Sequence, residues 1–146
     1  MTFEPPFFPQ GRYDTCALAC LRMVLAGFGT NVSEAELVRA SRMEEGGVEI
    51  EALAELARAY GLRADVDQLS LADLAQLFEG EQPAIVYLNR LPLDRQFAIH
   101  AVVPIRLSPH YVTCLDPRIG RRRISRRKFE RARSYLDRYG VVCSLP

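Results

Sequence analysis

The sequence predicts an α+β fold, and three observations carry that expectation. Apolar residues recur at helical spacing between residues 16 and 60. Compact apolar runs of strand character follow at residues 83–88, 100–107 and 110–116. Ser108 and Pro109 then turn the second of these runs into the third, as a hairpin does. Helices first and an antiparallel sheet after them is the segregated order of α+β chains.

In chain order, residues 3–9 form a proline-rich aromatic arm, expected to lie extended on the surface or at a sheet edge. A polar turn from Gln10 to Thr15 runs straight into an apolar helix beginning at Cys16. Ala17, Leu18, Leu21, Val24, Leu25 and Phe28 are its buried stripe, Asp14 or Thr15 is the expected cap, and Gly27 and Gly29 mark its end near Phe28. Ser33 and Glu36 have capping-box spacing and open a short helix to about Ala40. After a loop at 41–47, a third helix covers about 49–60, with Ile50, Leu53, Leu56, Ala57 and Tyr60 inward and Gly61 as its stop. Residues 63–68 read as a short strand, and Ser70 and Asp73 open a helix ending near Phe78. The run 83–88 reads as a central strand, and 100–107 with 110–116 as a hairpin. Asp116 to Gly120 is a turn, 122–124 a brief strand, and Ser125 caps a basic helix to about Asp137. A last strand covers 139–145.

Length and composition bound the chemistry. A chain of 146 residues, 49% hydrophobic and 25% charged, fits one soluble domain with a core that needs no staples. No apolar run is long enough for a transmembrane helix, and the N-terminus lacks the basic and apolar regions of a signal peptide, so a cytoplasmic location is expected. Cys16, Cys20, Cys114 and Cys143 then read as reduced thiols, and their spacing fits no zinc pattern. The net charge of +1 conceals an asymmetry: residues 121–133 carry +7, leaving −6 for the rest, with acids gathered between 34 and 55.

The chemistry centres on Cys16. In the first turn of a helix its thiol meets the positive end of the helix dipole and unpaired backbone N–H groups, an environment that favours the thiolate. A cysteine hydrolase also needs a base, a group to orient the base, and donors for the oxyanion. His100, at the start of a strand, is the candidate base. Asp116, at the end of the next strand, is the candidate orienter. Pairing about the 108–109 turn sets His100 opposite Pro117, beside Asp116. Gln10, six residues before Cys16, is placed to complete an oxyanion hole with the Cys16 N–H.

Gln10, Cys16, Ala19, Met23, Val24, Leu25 and Gly29, then His100, Val102 and Val103, then Asp116, Pro117, Gly120 and Phe129 form a pattern that resembles the bacteriocin-processing cysteine peptidases, which cut leader peptides after a double glycine. The resemblance covers residues 10–130. It implies a papain-like fold, a helical half carrying the Cys and a sheet half carrying the His and Asp. It gives Cys16 the role of nucleophile, His100 of base, Asp116 of orienter and Gln10 of oxyanion donor. Two positions depart from the family pattern: Ala17 stands where many members have Gly, and Thr15 where many have Asp. The expectation is a free-standing member without the ABC transporter, acting on a peptide or protein. No metal or organic cofactor is implied. The same machinery serves transferases and deamidases.

Other features have plainer readings. His110 lies in a turn and reads as solvated, and Cys20, Cys114 and Cys143 as core residues, with a resolving thiol the alternative for Cys20. Gly46 and Gly47 read as a flexible loop, with self-processing the alternative. The arginine run reads as a solvated face that pairs with the acidic 34–55 region of the same or a second molecule, the latter giving a homodimer. No RNA- or DNA-reading motif accompanies it, so nucleic acid is not the expected partner. The rival class is a catalytically silent papain-like binding module that uses the cleft or the basic 121–133 segment.

Overall fold

The computed structural model describes residues 3–41, 43 and 46–146. Three helices come first: α1 (Cys16–Gly27), α2 (Glu34–Ser41) and α3 (Ile50–Ala59). Then follow β1 (Arg63–Gln68), α4 (Leu71–Glu79), β2 (Ala84–Asn89), α5 (Leu91–Asp94), β3 (Ile99–Leu107), β4 (Tyr111–Asp116), β5 (Gly120–Ser125), α6 (Arg126–Ser134) and β6 (Tyr139–Ser144). The α+β expectation holds. The loop expected at 41–47 lies partly outside the described residues.

Local chemistry explains most boundaries. Gly61, at a φ of +93°, follows the end of α3 in the left-handed conformation that glycine adopts without strain. Ser70 and Asp73 form a reciprocal capping box at α4, each side chain accepting from the other's backbone N–H. The box expected at α2 forms in one direction: Ser33 Oγ accepts from the Glu36 N–H, and the Glu36 carboxylate accepts from the Tyr60 hydroxyl. Ser125 Oγ accepts from the Lys128 N–H and starts α6, which ends at Ser134, short of the expected Asp137.

The six strands form one antiparallel sheet in the order β1-β6-β2-β3-β4-β5. The last strand enters between β1 and β2. Gly140 eases that insertion, because a Cβ there would sit 3.0 Å from the Ile85 carbonyl oxygen and from Leu69 Cδ1, a tight contact that the neighbours would have to relieve. β2 is buried along its whole length, so its apolar residues divide between two cores. Ile85 and Tyr87 meet α1 and α3 through Leu18, Leu21, Leu25 and Leu53. Val86 and Leu88 meet α4 and α6 through Leu74, Phe78 and Phe129. Each fully buried leucine contributes about 1.5–3 kcal/mol of transfer free energy, and α1 supplies three of them.

The β3–β4 hairpin forms, but its register differs from the expected one. Val103 lies opposite Leu115 and Pro104 opposite Cys114, then a bulge shifts the pairing to Arg106 opposite Thr113. Pro104 has no N–H to give the ladder, and the irregularity falls beside it. The pairing runs one residue away from the one that sets His100 opposite Pro117.

Candidate active site

Cys16 is the first residue of α1 and is half-buried. The expected side-chain cap is absent. Thr15 Oγ1 turns back to Arg12, accepting from its N–H and donating to its carbonyl, both at 3.0 Å. Asp14 is buried, with Oδ2 taking Arg12 Nη2 at 3.2 Å and Oδ1 without a hydrogen-bond partner. A tight 12–15 turn therefore leads into α1, and no side-chain acceptor caps its N-terminus.

His100 enters from the second position of β3 and is 3% exposed. Its Nε2 lies 2.7 Å from Asp116 Oδ1. Cys16 is the other side chain near enough to raise the imidazole's proton affinity, and Nδ1 is the ring nitrogen that Asp116 leaves free. Burial alone lowers the imidazole's proton affinity, but the hydrogen bond to Asp116 and the nearby Asp116 and Cys16 groups outweigh it, so the His100 pKa is raised.

Asp116 closes β4 and is 1% exposed. Every partner of its carboxylate is a donor: His100 Nε2 and the Arg118 N–H (2.9 Å) on Oδ1, and Arg122 Nη1 (3.3 Å) on Oδ2. Burial opposes the charge, yet the contacts with His100, Arg118 and Arg122 prevail and the pKa is lowered.

Gln10 is docked on the turn after Asp116, its N–H donating to the Pro117 carbonyl at 2.9 Å. Its Nε2 donates to the Arg12 carbonyl at 2.7 Å, and its Oε1 is buried without a partner. The side-chain amide donor is thus engaged within the 10–12 segment. His110 is exposed on the β3–β4 turn. Cys20 and Cys114 are fully buried, with pKa values raised by burial and then by nearby negative charge. Burial likewise pushes the Cys143 thiol up to about 12.

A cleft of about 590 Å³ opens beside Cys16. Aromatic and aliphatic side chains line it, among them Tyr87 from β2, Ile99 from β3, and Tyr135 and Tyr139 flanking the α6–β6 connection. The Tyr87 hydroxyl donates to the Val48 carbonyl at 2.8 Å and fixes the wall that leads into α3. Gly46 and Gly47, expected as a flexible loop with self-processing the alternative, belong to that wall. Asp14, Glu49, Glu51 and Asp137 also line the cleft, and no Lys, Arg or His does among the described residues.

The arginine run is less uniform than its sequence suggests. Arg133 is fully buried, donates to the Leu69 carbonyl, and pairs with Glu130. Arg121 pairs with Glu4, and Arg122 reaches Asp116. The described ion pairs of 121–133 go to Glu4, Asp94, Asp116 and Glu130, so pairing with the acidic 34–55 region of the same molecule does not occur among them. The reason is placement: α6 packs on β2, β4 and β5, whereas α3 packs on β1 and β6. Arg122 was legible only as one of eight cations. The signal was the turn after Asp116, which folds β5 back on β4 and sets Arg122 opposite Cys114, two residues from Asp116.

Among the described residues, no helix is long and apolar enough to cross a membrane. The fold matches solved structures along nearly its whole length. A putative C39-like peptidase from Bacillus anthracis superposes with a TM-score of 0.83 at 20% identity, covering 98% of this chain and 96% of that one. A double-glycine-motif protease from an AMS/PCAT transporter, solved with its leader peptide, gives 0.79 at 21% identity, covering 99% and 94%. The peptidase domain of Streptococcus ComA, a bifunctional ABC transporter of a quorum-sensing pathway, gives 0.79 at 20%, covering 98% and 100%. These likenesses show the papain-like peptidase fold. In sequence, the chain is 30% identical over 122 residues to an uncharacterised protein of Methanothermobacter thermautotrophicus, covering 84% of this chain and 78% of that protein. The family model of the C39 peptidases matches residues 5–135, a span that holds Cys16, His100 and Asp116, and the chain belongs to the peptidase C39 family.

Proposed function

We propose that this C39-family chain is an active cysteine peptidase whose nucleophile is Cys16, whose base is His100 and whose orienting group is Asp116. One observation carries the reading: the buried His100 ring is held by Asp116 through Nε2 at 2.7 Å, with Cys16 the other side chain that raises its proton affinity. The raised pKa of His100 suits an imidazolium paired with a thiolate.

In the first step the sulfur attacks the scissile carbonyl carbon, and the C=O electrons move onto oxygen. The Cys16 N–H donates to that oxyanion, and Gln10 Nε2 joins it after turning away from the Arg12 carbonyl. His100 gives its proton to the leaving nitrogen, the C–N bond breaks, and an acyl thioester remains. Water then loses a proton to His100 and adds to the thioester, and the acid leaves as Cys16 is regenerated. An amine in place of water would make the same intermediate a transfer reaction.

The substrate is a peptide or protein segment laid in the cleft. Gly46 and Gly47 present no side chain to obstruct an extended chain there. Tyr87, Ile99 and Tyr135 favour apolar side chains, and the four carboxylates favour basic ones.

The test is to digest a proteome-derived peptide library with the protein and with Cys16→Ala, then sequence the new termini. Cleavage by the first and not the second is expected, together with an acyl adduct on Cys16 in acid-quenched samples. Cleavage that persists in Cys16→Ala contradicts the assignment.

A further inference from the structure

We propose that Arg122 and Asp94 are positioning residues for this site: the Arg122 guanidinium bridges the carboxylates of Asp116 and Asp94 and so ties the orienting group to the β2–β3 connection. The proposal rests on the peptidase reading above.

Three distances define the bridge. Arg122 Nη1 lies 3.3 Å from Asp116 Oδ2, and its Nη2 lies 3.4 Å from Asp94 Oδ1. Asp94 Oδ2 in turn takes Arg90 Nε at 3.3 Å. Arg122 and Asp94 are sheltered, at 20% and 22% side-chain exposure, while Asp116 is buried at 1%. A planar guanidinium with fixed donors suits two carboxylates at once; an ammonium is a point charge without that fork.

The bridge touches both supports of His100. Asp116 Oδ1 is taken by His100 and the Arg118 N–H, so Arg122 is the partner that fixes the other oxygen and thereby the carboxylate plane. Asp94 ends α5, in the connection that delivers Ala98, Ile99 and then His100, and Ala98 and Ile99 line the cleft. Without Arg122, a buried carboxylate keeps one oxygen without its donor and is free to rotate away from the imidazole. The hydrogen bond from Arg122 is one of the contacts that hold Asp116 ionised.

The experiment follows Cys16 alkylation by iodoacetamide from about pH 5 to 8 in the native protein and in Arg122→Gln, Arg122→Lys, Asp94→Asn, Arg123→Gln and His100→Ala. Arg122→Gln is expected to move the acid limb of the profile to higher pH and to lower the rate at about pH 6 by about 2–5-fold, the upper part of the range for a partly exposed ion pair. Arg122→Lys, the variant more tolerant in folding, restores the charge without the fork and recovers only part of the rate. Arg123→Gln removes the same charge from the neighbouring arginine, which stacks on Tyr111, and should match the native profile.

Asp94→Asn decides the mechanism. Loss of a nearby negative charge acting through space would favour the thiolate and move the acid limb down; loss of an anchor for Arg122 moves it up, as in Arg122→Gln. A downward or absent shift in Asp94→Asn overturns the proposal, as does full rescue by Arg122→Lys. If native alkylation does not respond to His100→Ala, the peptidase reading itself fails. If it does respond while the Arg122 and Asp94 variants match the native protein, only the bridge fails.

Discussion

Asp116→Asn tests the site through its hydrogen-bond arithmetic. The carboxylate accepts from three donors, and all are fixed on the protein: His100 Nε2–H, the Arg118 N–H and Arg122 Nη1–H. Asparagine has one acceptor oxygen and must aim its NH₂ at a donor in either orientation. The better orientation keeps the oxygen on His100 and Arg118 and sets the NH₂ against Arg122, which turns toward Asp94. One charge-assisted hydrogen bond and the charge attraction to His100 are lost, about 1.5–3 kcal/mol. For a chain of this size that is a fall in Tm of about 3–12 °C, at roughly 2–4 °C per kcal/mol.

The pH dependence has a definite sign. The Asp116 pKa is lowered on folding, so its contribution is present above the ordinary carboxylate value of 3.8 and is lost as pH falls through the folded value. The His100 pKa is raised, so its contribution is present below the ordinary 6.5 and is lost as pH rises through the folded value. The Tm gap between native protein and variant should therefore be widest between those limits and close in acid. Thermal unfolding monitored by circular dichroism across that range is the assay. No gap near pH 6, or a gap that grows below the carboxylate range, refutes the reasoning.

Three further outcomes follow from the geometry. Limiting iodoacetamide should modify Cys16 first, since Cys20, Cys114 and Cys143 are buried with raised pKa values; peptide mapping that finds Cys114 or Cys143 modified earlier contradicts the assignment. Gln10→Ala should lower peptide turnover by about 10²–10³ while sparing alkylation, which builds no oxyanion; equal losses in both would show a structural role in holding the 10–12 segment. Changing Arg126, Arg127 and Arg131 together to Gln should leave the Cys16 alkylation rate within about twofold, because exposed charge is screened within roughly 8–10 Å at physiological salt; a larger fall would mean that α6 reaches the site.

Local signals were legible in the sequence wherever a few neighbouring residues decide the structure. The apolar stripe from Ala17 to Leu25, the Ser70–Asp73 box and the Gly61 stop each act within one or two helical turns. The placement of Cys16 at the start of α1 follows from the same stripe. Less legible features depend on distant partners. The entry of β6 between β1 and β2 is set by pairing across many residues, and only Gly140 hints at it. The four-residue α5 is too short to show a period. Asp14 or Thr15 is the cap the sequence predicts for α1; Thr15 instead closes the 12–15 turn, because the Arg12 backbone competes for its hydroxyl, and Asp14 pairs with the Arg12 side chain. Arg122 is hidden by its neighbours: composition marks a basic run, and only the β4–β5 register separates the arginine that reaches Asp116 from the others.

The central claim is that His100 activates Cys16, and the most direct measurement is the second-order rate constant for Cys16 alkylation in His100→Ala against the native protein at about pH 6. The account predicts a fall of about tenfold or more, with an unchanged circular dichroism spectrum, because the imidazolium that stabilises the thiolate is gone. Equal rate constants in the two proteins would contradict it.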